Sequence, residues 1–414
     1  MKETKFKDTE IGKIPEEWRI CNFGDIFTFF SNNTLSRDML GERGDMHNVH
    51  YGDVLIKYGS TLDVEKESIP SIKEEYCYKS TNKIEDGDVI IADTAEDETV
   101  GKACEILNVG SRYIVSGLHT IWVRPKGNLF AAKYLGYAMN GTTYHNQLMP
   151  LIQGTKVSSI SKAAIKDTCI IVPPLNEQHH IASALTSIDN LISSLGKLIE
   201  KKKNIKQGAM QQLLTGKTRL KGFNEPWMEK KLGDIGSLAM CKRIFQEETS
   251  EKGDVPFYKI GTFGQQADAY ITKGKYEQFK QMYRFPQKGD VLISAAGTIG
   301  RTVIYNGEPA YFQDSNIVWL AHNGKYITNN FLFYIYQRTD WNTEDTTIAR
   351  LYNNNFNNTC IHFPSSITEQ QAIANILSKM DNEITALETK KAKYEAIKQG
   401  MMQQLLTGKI RLIS

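Results

Sequence analysis

The stretch "MQQLLTGKTRL", from Met210 to Leu220, returns as "MQQLLTGKIRL", from Met402 to Leu412, close to the other end of the chain. "TGKT" invites a nucleotide-binding reading, because a Gly-Lys-Thr triplet can wrap phosphates with backbone N–H groups. The full phosphate-loop pattern needs a glycine five residues before the glycine of that triplet. Gln211 stands there, inside a helical run, and the second copy puts Ile410 where the magnesium-binding hydroxyl belongs. The repeat therefore asks for another explanation.

Extended backwards, residues 177–220 align with 369–412 without a gap, and 24 of the 44 positions are identical. Ile181, Leu185, Ile188, Ile192, Leu195 and Ile199 recur at alternating spacings of four and three, as do Ile373, Leu377, Met380, Ile384 and Leu387. That pattern is a heptad stripe on one face of a helix. Each copy opens on "EQ", Glu177-Gln178 and Glu369-Gln370, just after a proline-containing segment, which suits a helix start. A helix over 177–214 would be about 57 Å long. Such a rod cannot cover its apolar stripe alone, so the two rods are expected to pair as an antiparallel coiled coil, the alternative being two independent core helices. The glycine of "TGK" is expected to end each helix in the left-handed conformation.

The duplication reaches the segments between the rods. Trp18 and Trp227 are each followed by "GDI", at Gly24–Ile26 and Gly233–Ile235; "GDVII" at 87–91 matches "GDVLI" at 289–293; and Thr168-Cys169-Ile170 matches Thr359-Cys360-Ile361. These β-branched runs beside Gly-Asp turns read as strands. The expected architecture is two mixed α/β (α+β) globular domains, 1–174 and 221–366, joined by helical spacers at 175–220 and 367–414, with an internal pseudo-two-fold duplication.

Composition bounds the function. Hydrophobic residues make up 41% and charged residues 23%, ordinary globular usage. The polar start and the absence of any run of eighteen apolar residues predict a cytoplasmic protein without a membrane segment. Six dispersed cysteines without a C-x-x-C pair indicate neither a zinc site nor a disulfide framework. The formal charge is only +3, and its excess sits on the repeated stretches: 177–220 carries 7 basic and 3 acidic residues, whereas 1–176 carries 20 and 24. No glycine-rich cofactor loop, metal-ligand cluster or "NPPY"-type tetrapeptide occurs, so the chain itself is expected to be non-catalytic.

With its doubled heptads, its "MQQLLTGK-x-RL" ends, its W-x5-GDI starts and "GDVLISAAGTIGR" at 289–301, the chain resembles the specificity subunit of type I restriction-modification systems over essentially its whole length. The resemblance implies that each globular part is a target recognition domain reading one half of a split DNA sequence, with the helices as spacer. It further implies double-stranded DNA, two methyltransferase subunits and restriction-translocation subunits as partners. S-adenosylmethionine and ATP with magnesium would belong to those partners, and this chain would hold no cofactor. A coiled-coil protein scaffold without DNA recognition is the alternative.

Candidate DNA-binding residues come from Gly-rich loops, where Arg, Lys, Asn and Thr can reach base edges or phosphates. In the first domain they are Lys57, Tyr58, His119, Thr155, Lys156 and Ser158. In the second they are Lys259, Thr298, Arg301, Asn316, Arg350 and Tyr352. His119, flanked by Leu118 and Ile121, also suits a core histidine. Where the second domain has "AAGTIGR", the first has "ADTAEDETVGK", whose Asp93, Glu96, Asp97 and Glu98 are more consistent with solvent or a partner than with phosphates.

Overall fold

The computed structural model describes residues 4–78, 82–154, 156–341 and 350–413. Two 39-residue helices, Leu175–Leu213 and Ile367–Leu405, are its longest elements. The chain forms two compact units, Met1–Gly196 with Thr389–Ser414, and Lys197–Glu388, so each unit contains part of both long helices.

In the first unit a five-stranded sheet runs in the order Phe27–Phe30, Thr120–Pro125, Val89–Ala92, Ala103–Leu107, Thr61–Asp63. Beside it Met46–Val49 pairs in parallel with Tyr113–Ser116. In the second unit the order Ser237–Met240, Ile317–Ala321, Val291–Ser294, Thr302–Ile304 repeats the first four positions of that sheet. Val255–Tyr258 again pairs in parallel with the strand Tyr311–Phe312. The "GDVII" and "GDVLI" runs thus become the central strands, wholly buried and β-branched as a two-faced strand requires. The "GDI" segments do not become strands. Phe23–Ile26 and Leu232–Ile235 are single helical turns, each with an aspartate in the first turn and the first capped by Asn22, and a strand follows each.

The residues shared by the two repeats explain each other. At the start of the first long helix Glu177 accepts from Arg411 Nε at 2.5 Å and Nη2 at 2.7 Å, and from Trp18 Nε1 at 2.9 Å. At the start of the second, Glu369 accepts from Arg219 Nε and Nη2, both at 2.7 Å. The arginine that closes one copy of the repeat therefore locks the glutamate that opens the other. Gln178 donates to Pro173 O and Leu129 O and accepts from Ala131 N; Gln370 does the same with Pro364 O, Tyr326 O and Thr328 N. Both glutamines are fully buried, and each ties three backbone groups of the preceding domain to its helix.

Antiparallel pairing of the helices is visible inside each unit. Asp189 meets Lys398 at 2.7 Å in the first; Lys202 meets Glu383 at 2.6 Å and Lys206 meets Asp381 at 2.5 Å in the second. Tyr137 and Tyr334 each donate to one of those aspartates at 2.8 Å. Of the stripe residues, Ile181, Leu185, Ile188, Leu195, Ile199, Ile373, Leu377 and Ile384 are buried, while Ile192, Met380 and Leu387 are half-buried. The leading members serve the globular cores as well. Ile181 and Leu185 pack with Trp18, Tyr134, Met402 and Leu405, and Ile373 and Leu377 with Leu213, Phe331 and Phe363. Gly216 and Gly408 both end their copies at φ +70°, where a side chain would be strained.

Candidate nucleic-acid interface

In the first domain three segments meet at the C-terminal end of the central strand Val89–Ala92. Asp93 N donates to His119 O at 3.1 Å, Ile160 N donates to Asp93 O at 2.8 Å, and Thr94–Ala95 pairs antiparallel with Ser158–Ser159. His119, at φ +54°, holds its imidazole 47% exposed, 3.4 Å from Asp93 Oδ1, 3.3 Å from Thr94 Oγ1 and edge-on to Tyr51. It is a surface histidine, not a core one, because the turn that carries it leaves the sheet before the buried Thr120 begins the next strand. Ser158 is half-buried and Lys156 exposed in the same loop; Thr155 lies outside the described residues.

Lys57 and Tyr58 sit apart from this meeting point. Lys57 is exposed at the end of the short helix Tyr51–Ile56 and donates to Ser68 O. Tyr58 is only 2% exposed, packed with Val49, Val54 and Leu62, and its hydroxyl donates to Ser68 O. Its ring serves the core and offers nothing to a ligand, which corrects its place among the candidates. Burial also drives its hydroxyl pKa well upward.

The second domain builds the same meeting point from other residues. Ala295 N donates to Asn316 O at 2.7 Å, Leu351 N donates to Ala295 O at 2.9 Å, and Ala296 bridges to Arg350. Register makes the correspondence residue by residue: Thr120 stands opposite Ala92 and Ile317 opposite Ser294, so His119 and Asn316 occupy one place. Thr298 is exposed, Tyr352 is 42% exposed, and Asn316 and Arg350 are half-buried. Thr298, Asn316, Arg350 and Tyr352 are thus gathered around one strand end.

Two further cations have internal work. Arg301 Nη1 donates to Phe263 O at 3.0 Å; Lys102, its structural counterpart, donates to Leu55 O at 2.6 Å. The match follows because Gly101 N bonds Ala92 O just as Gly300 N bonds Ser294 O. Both cations brace the segment that follows the parallel strand. Lys259 pairs with Asp268 at 2.9 Å. Its counterpart is His50 and not Lys57, since Val49 faces Ser116 as Tyr258 faces Phe312. His50 accepts from Gly52 N, and burial lowers its pKa.

Loop length separates the domains. The span Ala92 to Gly101 is three residues longer than Ser294 to Gly300, and the additional room holds the exposed Glu96, Asp97 and Glu98. Asp97 accepts from Thr99 N and Oγ1, which lowers its pKa and folds that carboxylate back onto its own loop. Conversely, the turn between the parallel strand pair and the next strand is Gly117–His119 in the first domain and Gln313–Asn316 in the second, one residue longer. Sequence reading missed Tyr51, Thr94 and Arg243, the last bound to Asp314 in that longer turn at 2.8 Å. Only the pairing register exposes them. Among the described residues, no group of three His, Cys, Asp or Glu side chains could hold a metal ion, and no helix is long and apolar enough to cross a membrane.

The frame, its duplication and the paired polar loops define a two-domain recognition protein, and likeness to known proteins gives the family. The model of the type I restriction modification DNA specificity domain matches residues 15–207 and again 224–399. The chain belongs to that family. It is 39% identical over 258 residues, 60% of this chain and 66% of the relative, to a Haemophilus influenzae protein named as a type I restriction enzyme specificity subunit. It is 27% identical over 442 residues, 99% of this chain and 98% of the relative, to the Methanocaldococcus jannaschii protein named as the MjaX specificity subunit. In fold it is similar to the type I restriction-modification S subunit of M. genitalium, with TM-score 0.57 at 15% identity, covering 94% of this chain and 96% of that one. A chain from a type I system complex gives TM-score 0.59 at 17% identity, covering 96% and 99%. The alternative of a scaffold without DNA recognition finds no support in these likenesses.

Proposed function

We propose that this chain is the non-catalytic specificity subunit of a type I restriction-modification complex, and that each of its two domains reads one half of a split, asymmetric DNA target. The observation that carries the reading is the doubled strand end: a shared frame presents three loops in each domain, two of those loops differ in length, and most of the polar groups they offer differ, Thr99 and Thr298 being the matched exception. Equal frames suit equal docking on a duplex, and unequal loops suit unequal half-sites.

His119, Ser158 and Lys156 would face the first half-site; Asn316, Thr298, Arg350 and Tyr352 would face the second. Asn and Arg can make bidentate contacts with adenine and guanine edges, each good contact giving about 1–3 kcal/mol of discrimination. A single small domain so equipped specifies only a few base pairs, and two domains multiply that selectivity. Lys102 and Arg301 position the neighbouring segment and leave direct contact to the loop residues. Two methyltransferase subunits would supply S-adenosylmethionine chemistry and the flipping of the target base. Restriction-translocation subunits would use ATP and magnesium.

The test is reconstitution. Methyltransferase subunits incubated with host DNA are expected to methylate a split motif only when this chain is added. Methylation of the same sites without it would remove the proposed role.

A further inference from the structure

Asp93, the first carboxylate of the first domain's acidic loop, stands against His119. His119 Nδ1 lies 3.4 Å from Asp93 Oδ1 and 3.3 Å from Thr94 Oγ1, while Thr94 Oγ1 donates its own hydrogen to Asp93 Oδ1 at 2.7 Å. Nδ1 thus faces two oxygens that can only accept from it, so it is the ring nitrogen that carries a proton in either charge state. The other nitrogen, Nε2, makes no hydrogen bond among the described residues, and the side chain is nearly half exposed. Neutral His119 therefore presents Nε2 as a bare acceptor, whereas charged His119 presents it as an N–H donor.

The groups around this imidazole leave it as the one that titrates. Tyr51 meets it edge-on with ring centroids 5.3 Å apart, and Tyr51 also meets His50 at 4.7 Å. His50 accepts from Gly52 N, and burial together with the nearby Arg37 guanidinium pushes its pKa down, so it stays neutral. Arg37 is bound to Asp53 at 2.5 Å. Imidazole is the side chain whose charge changes near neutral pH, and of the two histidines here only His119 is open to solvent. The second domain has Ala295, Asn316 and Lys259 at the places of Asp93, His119 and His50, none of which changes charge near neutral pH.

Resting on the function proposed above, we propose that charged His119 reads a guanine in the first half-site through its Nε2–H, with Asp93 and Thr94 holding the ring. A guanine edge offers two neighbouring acceptors, N7 and O6. Adenine sets an amino donor beside its N7, cytosine offers an amino donor alone, and thymine offers one acceptor beside a methyl group. A donor carried on a cation therefore selects guanine. The duplex is a polyanion, which favours the charged ring at the interface. Binding then takes up a proton wherever the free His119 is neutral, so affinity falls as pH rises, by at most about tenfold per pH unit.

The experiment measures the affinity of the complete complex for its own duplex, with the split motif taken from a methylation map, from about pH 6 to about pH 8. The first half-site is expected to contain a guanine whose replacement by 7-deazaguanine, which keeps base pairing and lacks N7, weakens binding about tenfold at the low end and removes the fall with pH. His119→Asn should remove both effects and keep the melting temperature, because asparagine tolerates the left-handed backbone at φ +54°. His119→Arg should keep the guanine preference and lose the pH dependence, its charge being permanent. Changes in the second half-site should leave the pH profile as it is. A first half-site without guanine, or a pH profile that survives His119→Asn, would overturn the assignment. Equal weakening by His119→Asn on every duplex would overturn it too, because that marks a phosphate contact. A complex that methylates no split motif would instead remove the functional reading on which the assignment rests.

Discussion

Arg411→Met should destabilise the first unit by about 3–5 kcal/mol, the usual consequence of stripping one partner from a buried ion pair. Arg411 and Glu177 have side chains only 8% and 2% exposed, joined by two charge-assisted hydrogen bonds, with Trp18 as the third donor. Without the guanidinium, the Glu177 carboxylate keeps one indole N–H and almost no water. The equivalent change Arg219→Met should cost less, roughly 1–3 kcal/mol, because Arg219 is 30% exposed and water can reach part of the site it leaves. Replacing Glu177 by glutamine together with Arg411→Met should recover much of the loss, since no charge is then left buried. Urea unfolding of the three variants measures the order. Equal losses for Arg219→Met and Arg411→Met would contradict this account of the lock.

The other large effect concerns recognition in the second domain. Asn316 sits at the tip of a turn beside the central strand, in the place His119 takes in the first domain, while Arg350 flanks it through the bridge to Ala296. Asn316→Ala should lower the affinity of the complete complex for its own site by about tenfold or more and relax preference at one base pair, as loss of a bidentate contact does. Arg350→Glu should weaken binding at least as much, by setting a carboxylate against the duplex. In Arg350→Ala the dependence of affinity on salt should fall by about one unit of slope if the guanidinium meets a phosphate. Titration of duplexes altered in one half-site at a time separates these effects. Both half-sites responding together would mean that the residues act on assembly and not on reading.

Much of the frame was legible in the sequence because duplication doubles every signal. The long helices announced themselves by heptad spacing, and the central strands by buried β-branched runs after Gly-Asp. The "GDI" turns were misread, since three residues carry no periodicity and only Asn22 and the first-turn aspartates reveal the helical turn. The "EQ" and "RL" pairs were visible as repeats, yet their partnership was not: Glu177 and Arg411 are 234 residues apart, and only the fold brings them together. The candidate site was legible to the level of loops. His119 and Asn316, both candidates from the sequence, fall on equivalent positions. Tyr58 failed because aromatic residues next to a lysine look alike in sequence whether they face water or a core. His50 was not among the candidates because the first domain has a helix where the second has a turn, so only the strand register shows it to be the counterpart of Lys259.

The most direct measurement is a map of N6-methyladenine in the native host by long-read sequencing, with this gene intact and deleted. The account predicts that one split, asymmetric motif loses its methylation on deletion and that other methylated motifs persist. An unchanged map in a host whose methyltransferase subunits are expressed would contradict a specificity role for this chain.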